Sequence, residues 1–273
     1  MIAIIADIHG NYPALEAVLE DLPEVKEIWM LGDFVTGVPF PIEVMERLIN
    51  LPMPVHSVLG NQDEVLLVKR GTKKSRQFGI YEWVEEQLKP HHWEFLEGLP
   101  KTLAVGSDVL LYHGTPDNVL GAIITQHDAE QVAAAHSSKW LIGGHRHRPM
   151  LFRTGGQNVM IAGSVGVSFD GIGGMASYAL LDENTGKFAF RNVSYDVESA
   201  VAAIENSPIA ELAPGMSNCV KKEILTGKPY MMGLVQFASQ YAEKMLGHKP
   251  DEIPHEIWSE AELKWDGSEF APK

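Results

Sequence analysis

Short runs of apolar residues recur along the chain, and each run is followed by a cluster of Gly, Asp, Asn or His residues. Apolar runs that end in such turn-forming residues are typical of buried strands. Five strands are predicted before residue 150, at residues 2–6, 27–31, 55–59, 109–112 and 140–142. Helical spacing separates the first three, over residues 13–22 and 41–51, and two more helices are expected between residues 64 and 99. This β-α-β-α-β order is typical of a sheet with helices on its faces.

After residue 150 the pattern changes to short apolar segments separated by glycine-rich turns. These segments predict strands at residues 150–153, 159–162, 176–181 and 188–193, which we expect to supply much of a second sheet. From residue 196 onward, prolines separate three helical segments, at residues 197–204, 219–225 and 231–246. We therefore predict an α/β domain over residues 1–195 and a small helical appendage over residues 196–273, which ends in a docked or frayed tail from residue 258.

Composition and charge indicate which kinds of molecule this protein can bind. The 273 residues include 36 acidic and 22 basic side chains, for a formal net charge of -14. Extended duplex nucleic acid is not expected as a partner, because its affinity comes largely from Lys and Arg. A small phosphorylated substrate is compatible with this charge, since a bound metal makes its own site locally positive. No apolar run reaches the roughly 20 residues that span a bilayer. The single cysteine, Cys219, fits a reducing compartment, so a cytoplasmic location without membrane contact is predicted.

Polar clusters follow the five strands of the first half, at the strand ends where ligands bind in open α/β sheets. Taken singly, each residue has an ordinary structural interpretation, because aspartate caps helices, asparagine forms turns and an isolated histidine is commonly structural. Carboxylates and imidazoles together favour Mn, Fe, Zn, Ni or Co over Ca, and the lack of a thiolate ligand argues against a structural zinc site. The candidate ligands are Asp7, His9, Asp33, Asn61, His113, His145 and His147.

In order along the chain, the clusters read D-x-H, G-D, G-N-x-D, H-G and G-H-x-H. This series resembles the calcineurin-like metallophosphoesterase family, particularly its short bacterial and archaeal phosphodiesterase branch. The resemblance covers residues 1–195, and it is specific because all five motifs occur in order, each after a predicted strand. It implies a four-layer α/β/β/α sandwich with two sheets inside and helices outside.

The resemblance also implies a centre with two divalent metal ions. One ion would be bound by Asp7, His9, Asp33 and His147. The other would be bound by Asp33, Asn61, His113 and His145, so that Asp33 bridges the two. A hydroxide between the ions would be the nucleophile. Charge on the phosphoryl oxygens would be stabilised by the metals and by candidates among Asn11, Arg146 and Arg148.

The third motif departs at Gln62 from the pattern of many relatives, which have histidine there to protonate or stabilise the leaving group. Glutamine donates a hydrogen bond but is not an acid at neutral pH. We therefore expect Gln62 to contact substrate, and phosphodiesters or nucleotide-like substrates with good leaving groups to be favoured. Two alternatives stay open: a phosphomonoesterase or protein phosphatase on the same scaffold, and a non-catalytic binding module that retains the fold.

The segment 231–246 places apolar side chains at roughly helical spacing. The residues on this expected apolar face are Met232, Val235, Phe237, Ala238, Tyr241 and Met245. Such a face either packs onto its own domain or joins copies of the chain. An oligomer formed through the C-terminal helices and an intramolecular contact are therefore both compatible with the sequence.

Overall fold

The computed structural model describes residues 1–72, 76–268 and 270. Within them, ten strands form two five-stranded sheets. The strands are β1 (Ile2–Ile5), β2 (Glu27–Met30), β3 (Val55–Ser57), β4 (Thr102–Val105), β5 (Val109–Tyr112), β6 (Trp140–Gly143), β7 (Met150–Thr154), β8 (Gln157–Ile161), β9 (Met175–Asp182) and β10 (Lys187–Ser194). All nine predicted strands are present, and β4 has no counterpart in the prediction.

The described residues also contain eleven α-helices, and none of them combines the length and apolar character needed to cross a membrane. The helices are α1 (Tyr12–Asp21), α2 (Pro41–Ile49), α3 (Asn61–Lys69), α4 (Gly79–Gln87), α5 (Pro90–Glu97), α6 (Gln126–Ala135), α7 (Val197–Asn206), α8 (Ile209–Leu212), α9 (Pro214–Thr226), α10 (Tyr230–Leu246) and α11 (His255–Lys264). The sequence does not predict α6, which has no strong apolar stripe. Helix α11 covers the start of the predicted tail, whose residues 269 and 271–273 lie outside the described residues.

The first sheet has the strand order β10-β9-β1-β2-β3, and the second has the order β4-β5-β6-β8-β7. Strands β1, β2 and β3 are parallel, as are β5, β6 and β8. The expected placement of the strands after residue 150 is wrong for β9 and β10, because β9 pairs antiparallel with β1 in the first sheet. Residues 176–181 of β9 are all buried, which suits a strand with a neighbour on each side.

The two sheets pack face to face, and helices cover their outer sides. Alternate residues of β1 face opposite ways, so that Ile2 and Ile4 pack between the sheets while Ala3 and Ile5 pack under the helices. Burial on both faces explains why this strand is continuously apolar. Helix α1 packs on β9 and β10 of the first sheet, and α6 packs on β7 and β8 of the second. The α/β/β/α sandwich expected from the sequence is thus confirmed.

The helices after residue 196 share an apolar core with the first part of the chain. Val220 of α9, Leu234 of α10 and Trp258 of α11 belong to the same buried cluster as Ile80 and Val84 of α4. Since these side chains bury one another, the appendage and the helices before residue 100 depend on each other for their packing.

The buried face of α10 differs from the expected apolar face. Its buried residues are Gly233, Leu234, Ala238 and Ala242. This face packs against α9 and α11 of the same chain. Val235 and Met245 lie off it and are 44% and 55% exposed. Small residues let the three helices approach closely, and a spacing argument that counts only large apolar side chains overlooks them.

Candidate metal centre

The loops after β1, β2, β3, β5 and β6 meet at one edge of the sandwich. Five of their residues have left-handed backbone conformations: Asp7 (φ 55°), His9 (φ 51°), Asp33 (φ 58°), His145 (φ 68°) and His147 (φ 54°). Among the described residues, no other non-glycine residue has a positive φ. Such conformations cost free energy and persist where the surroundings impose them, commonly at functional sites.

Hydrogen bonds between the loops hold these conformations. The Asp7 backbone N donates to the Gly32 carbonyl at 3.0 Å, and His9 N donates to Asp33 O at 2.9 Å. The His145 backbone N donates to Asp7 Oδ2 at 2.9 Å, which ties the loop after β6 to the loop after β1. Motifs that are far apart in sequence are therefore fixed against one another by their own backbones.

Asp63 joins two of the loops through its carboxylate. It accepts hydrogen bonds from Asp33 N at 2.7 Å, Phe34 N at 3.0 Å and Gly60 N at 3.0 Å. The bond to Gly60 closes the start of α3, as expected for a helix-capping residue. The other two bonds fix the backbone of Asp33. Burial and the nearby Asp33 charge raise the pKa of Asp63 to about 7.

The first cluster of candidate ligands brings two histidine lone pairs together. His9 Nδ1 lies 2.9 Å from Thr36 O, and His147 Nδ1 lies 2.6 Å from Val167 O, so both Nδ1 atoms carry the ring proton. The two Nε2 atoms then face each other as acceptors, only 3.0 Å apart. Asp7 Oδ1 lies 3.5 Å from His147 Nε2. Two ring nitrogens without protons and a carboxyl group, held this close together, fit a bound cation.

The second cluster repeats this arrangement. His113 donates from Nδ1 to Leu31 O at 2.5 Å, so its Nε2 is the ring atom that faces the other candidate ligands. Burial of this ring is outweighed by the charge and hydrogen bond of Asp33, which raise the pKa of His113 to about 10, so a bound cation would replace a proton at Nε2. That Nε2 lies 3.3 Å from Asp33 Oδ2 and 2.9 Å from Asn61 Oδ1, and His145 Nδ1 is 2.9 Å from the same amide oxygen. Rotating the amide would turn its NH₂ group toward both rings. When the Asn61 amide oxygen faces the two rings, the cluster presents two imidazole nitrogens, a carboxylate oxygen and an amide oxygen. Divalent transition metals bind ligand atoms of these kinds.

Asp33 is shared between the two clusters. Its Oδ2 atom lies 3.3 Å from His113 Nε2 and 4.0 Å from His9 Nε2. Burial raises the pKa of its carboxyl, but the charge and hydrogen bond of His113 outweigh burial and hold this pKa below its usual value. Asp33 is therefore ionised at neutral pH and lies between the two clusters.

Burial keeps His9, His145 and His147 neutral. It lowers the pKa of His9 and His147, and it lowers the pKa of His145 to about 4. Neutral imidazole is the form that binds metals. Burial raises the pKa of Asp7 well above its usual value, and a nearby cation would oppose this by stabilising the carboxylate.

A cavity of about 450 Å³ opens from the candidate ligands toward the C-terminal helices. On the side of the sheets it is lined by His9, Asp33, Asn61, Gln62, His145, Arg146, His147 and Phe169. On the opposite side it is lined by Phe78, Ile80, Tyr81, Met216, Val220, Glu223, Met231, Met232, Val235 and Trp258. The appendage thus supplies much of the wall that faces the candidate metal centre.

The structure does not bring Asn11 and Arg148 to this cavity. The Asn11 side chain is buried, and its Oδ1 accepts from Ala14 N at 3.3 Å at the start of α1. Its Nδ2 donates to Gly166 O at 2.8 Å. Contact with a phosphoryl group would require this amide to give up its bonds. Arg148 is exposed and does not line the cavity.

The sequence analysis does not single out three cavity residues. The Phe169 ring stacks on His147 with 4.5 Å between centroids. Burial and the charges of Asp33 and Asp63 raise the pKa of Tyr81. Glu223 is a buried acid on α9. None of the three belongs to a motif. Glu223 alone could have been noticed in the sequence, because it is an acidic residue within the apolar pattern of residues 219–225.

Residues 1–186 match the calcineurin-like phosphoesterase superfamily domain. The chain therefore belongs to this superfamily of metal-dependent phosphoesterases, and the resemblance noted from the five motifs is confirmed.

The relatives of this chain include prokaryotic proteins of similar length. An uncharacterized protein of Methanocaldococcus jannaschii is 29% identical over 235 residues, which cover 77% of this chain and 94% of that protein. The crystal structure of a metallophosphoesterase from Sphaerobacter thermophilus has a TM-score of 0.71 at 28% identity and covers 80% of this chain and 97% of that one. A hypothetical protein of Pyrococcus horikoshii shares the fold with a TM-score of 0.71 at 23% identity, covering 83% and 99%.

A second group of relatives matches a shorter segment of this chain. The symmetrical bis(5′-nucleosyl)-tetraphosphatase of Baumannia cicadellinicola is 37% identical over 76 residues. This segment covers 26% of this chain and 26% of that enzyme.

Proposed function

We propose that this protein is a dinuclear metal-dependent hydrolase that favours phosphodiesters or nucleotide-like phosphoesters with good leaving groups. The observation that carries the proposal is the pair of acceptor clusters around Asp33. In the first cluster, two histidine Nε2 atoms face each other and a carboxylate, and in the second cluster two histidine nitrogens face the same amide oxygen. A non-catalytic binding module has no need to bring seven such donors together, so this arrangement favours the enzyme.

Each cluster would hold one ion of Mn, Fe, Zn, Ni or Co. The first ion would be held by Asp7, His9, Asp33 and His147. The second would be held by Asp33, Asn61, His113 and His145. When bound, the pair of ions would polarise a phosphoryl group and lower the pKa of water. The backbone of this chain pre-arranges the donors, since the left-handed conformations are already imposed by the loops.

Arg146 is the residue that we propose for binding the phosphoryl oxygens. It follows a candidate ligand, lines the cavity and has a buried Nε–H without a partner among the described residues. A buried guanidinium nitrogen without an acceptor is costly, and a phosphate oxygen would satisfy it. Asn11 and Arg148, the other two candidates that the sequence predicts, have less support because they lie away from the cavity.

Gln62 is the residue that we propose for contact with the leaving group. Its Oε1 accepts a hydrogen bond from the Thr36 hydroxyl, and its backbone N donates to Asp33 Oδ1 at 2.8 Å. The side-chain NH₂ group has no partner among the described residues, and the residue lines the cavity. This geometry supports a hydrogen bond to the leaving oxygen without proton transfer.

The match to a bis(5′-nucleosyl)-tetraphosphatase supports a nucleotide-like substrate, although the matched segment is short. We also propose that residues 1–195 supply the chemistry, whereas residues 196–273 shape the substrate side of the cavity.

Hydrolysis of an aryl phosphodiester tests the proposal directly. The purified protein, loaded with Mn²⁺, is expected to release p-nitrophenol from bis(p-nitrophenyl) phosphate, and chelation should abolish this activity. Elemental analysis should find two metal ions per chain. Faster turnover of p-nitrophenyl phosphate than of the diester would favour the phosphomonoesterase alternative. Two bound metals without turnover of any ester would support the non-catalytic module.

Replacing Gln62 with His should broaden the range of leaving groups. A histidine at this position can protonate a poor leaving group, an effect of about 10²–10⁴ for general acids in enzymes. We expect the ratio of alkyl to aryl ester turnover to rise at least about tenfold in Q62H. The matched control is Q77H, because Gln77 also lines the cavity but binds Ile253 O and no candidate ligand. An unchanged ratio in Q62H would show that position 62 does not serve the leaving group.

A further inference from the structure

Glu223 is a buried acid in the part of the cavity wall formed by the appendage. The residue is 3% exposed and lies on α9. Its Oε1 accepts a hydrogen bond from Met231 N at 2.6 Å, at the start of α10. Among the described residues, no Lys, Arg or His forms an ion pair with this carboxyl. The carboxyl therefore caps a helix and still has lone pairs to offer, because two carboxylate oxygens provide about four acceptor positions.

The wall around Glu223 is apolar and rich in flat or polarisable side chains. It includes Phe78, Tyr81, Met216, Met232 and Trp258. Aromatic rings and methionine sulfur atoms make favourable contacts with the faces and edges of aromatic ligands. The volume of about 450 Å³ falls within the range of roughly 300–1,000 Å³ for pockets that take small organic ligands. The cavity therefore suits a planar ring system attached to the phosphoester.

One polar group in an apolar wall selects against ligands that cannot pair with it. An aliphatic chain would cover Glu223 and leave its carboxyl without a new partner, which costs free energy. A ring that carries an N–H donor would instead satisfy it. Burial raises the pKa of Glu223 to about 8, against the opposing effect of the Met231 and Tyr230 backbone N–H groups. At neutral pH the carboxyl can therefore also carry a proton and offer it to a ring nitrogen.

We propose that this cavity binds the heteroaromatic base of a nucleotide-like phosphoester, and that Glu223 determines specificity by pairing with an amino group on that base. The inference rests on the proposed function, because the phosphoester must lie at the metal centre for its base to enter the cavity. In this proposal, the helices after residue 196 recognise the amino group of the base.

Two substrates that differ by one amino group test the assignment. They are the p-nitrophenyl esters of adenosine 5′-monophosphate and of purine riboside 5′-monophosphate, which lacks the amino group. The wild-type, metal-loaded protein is expected to show a kcat/KM at least about tenfold higher for the adenosine ester, because the analogue without the amino group leaves a buried polar group of the site without its partner. The ratio is insensitive to the fraction of protein that is folded.

Glu223→Gln should remove this preference. The Met231 N–H needs an acceptor, so the Gln carbonyl oxygen should stay there and turn the amide NH₂ toward the cavity. That donor would face the amino group of adenine, and the kcat/KM ratio should fall to within about twofold of one or reverse. Glu243→Gln is the matched control, because Glu243 is an exposed acid on α10, and its ratio should equal that of wild type.

Binding to the metal-free protein separates this inference from the proposed function. Calorimetry should find tighter binding of adenosine than of purine riboside to the wild type. Equal affinities, with equal kcat/KM values for the two esters, would overturn the role of Glu223 while leaving the hydrolase intact. If neither ester nor bis(p-nitrophenyl) phosphate is hydrolysed with added metal, the proposed function fails, and the two nucleoside affinities then decide the inference alone.

Discussion

Replacing Asp33 with Asn is expected to lower the turnover of bis(p-nitrophenyl) phosphate at least about 10³-fold, equivalent to about 4 kcal/mol of transition-state stabilisation. Asp33 Oδ2 lies between the two ligand clusters, so the neutral amide would weaken both at once. We expect elemental analysis to find fewer than two metal ions per chain in D33N. Turnover and metal content together check the prediction.

Asp251→Asn makes the same chemical change at an exposed position of the appendage and should leave both measurements at wild-type values. A D33N protein that keeps two metals and hydrolyses the diester at the wild-type rate would rule out a bridging role for this carboxylate.

Replacing Gly32 with Ala is expected to destabilise the fold by more than about 3 kcal/mol, through a steric clash added to backbone strain. Gly32 has a φ of 85°, and a Cβ atom on it would lie 2.3 Å from the Gly60 backbone N. Gly32 immediately precedes Asp33, and Gly60 immediately precedes Asn61. Relief of the clash would therefore push these two candidate ligands apart. Thermal unfolding and metal content measure the two effects.

Gly186→Ala is the matched control for this change. Gly186 has a φ of 67°, but a Cβ atom there would meet no atom within 4 Å. Gly186→Ala therefore adds backbone strain without a steric clash. We expect the free energy of unfolding to fall by about 1 kcal/mol, with no change in metal binding. If both variants lose the same stability, close contact between the two loops does not govern the site.

The strands and the convergence of the ligand residues could be predicted because local patterns determine them. Asp7 and His113 each follow a short apolar run, and the ends of such runs lie at one edge of an α/β sheet whatever the order of its strands. Which sheet a strand joins depends on partners that are distant in sequence. The expectation that β9 and β10 join the second sheet is therefore wrong, because β9 is apolar enough for the interior of either sheet and β10 pairs beside it as the edge strand.

The cavity wall could not be predicted for the same reason. Glu223 and Tyr81 are separated by more than one hundred residues and by seven of the ten strands, and neither lies in a recognisable motif. Asn11 illustrates the reverse case. It lies two residues after His9, so the sequence predicts a contact with substrate, but the start of α1 and the Gly166 carbonyl use its amide. Proximity in sequence did not reveal these competing hydrogen bonds.

The cavity has its ligand-bearing wall on the sandwich and its apolar wall on α9, α10 and α11, and these helices share their core with α4. If the proposed role of this cavity holds, we expect that exchanging the helices after residue 196 for those of a relative will change which organic group is selected, while the candidate metal ligands stay in place. Such a chimera would fold only if α4 came with them, because Ile80 and Val84 pack into the same cluster as Trp258. The unit that can be transplanted to redirect specificity is therefore discontinuous: the segment around α4 together with the C-terminal helices.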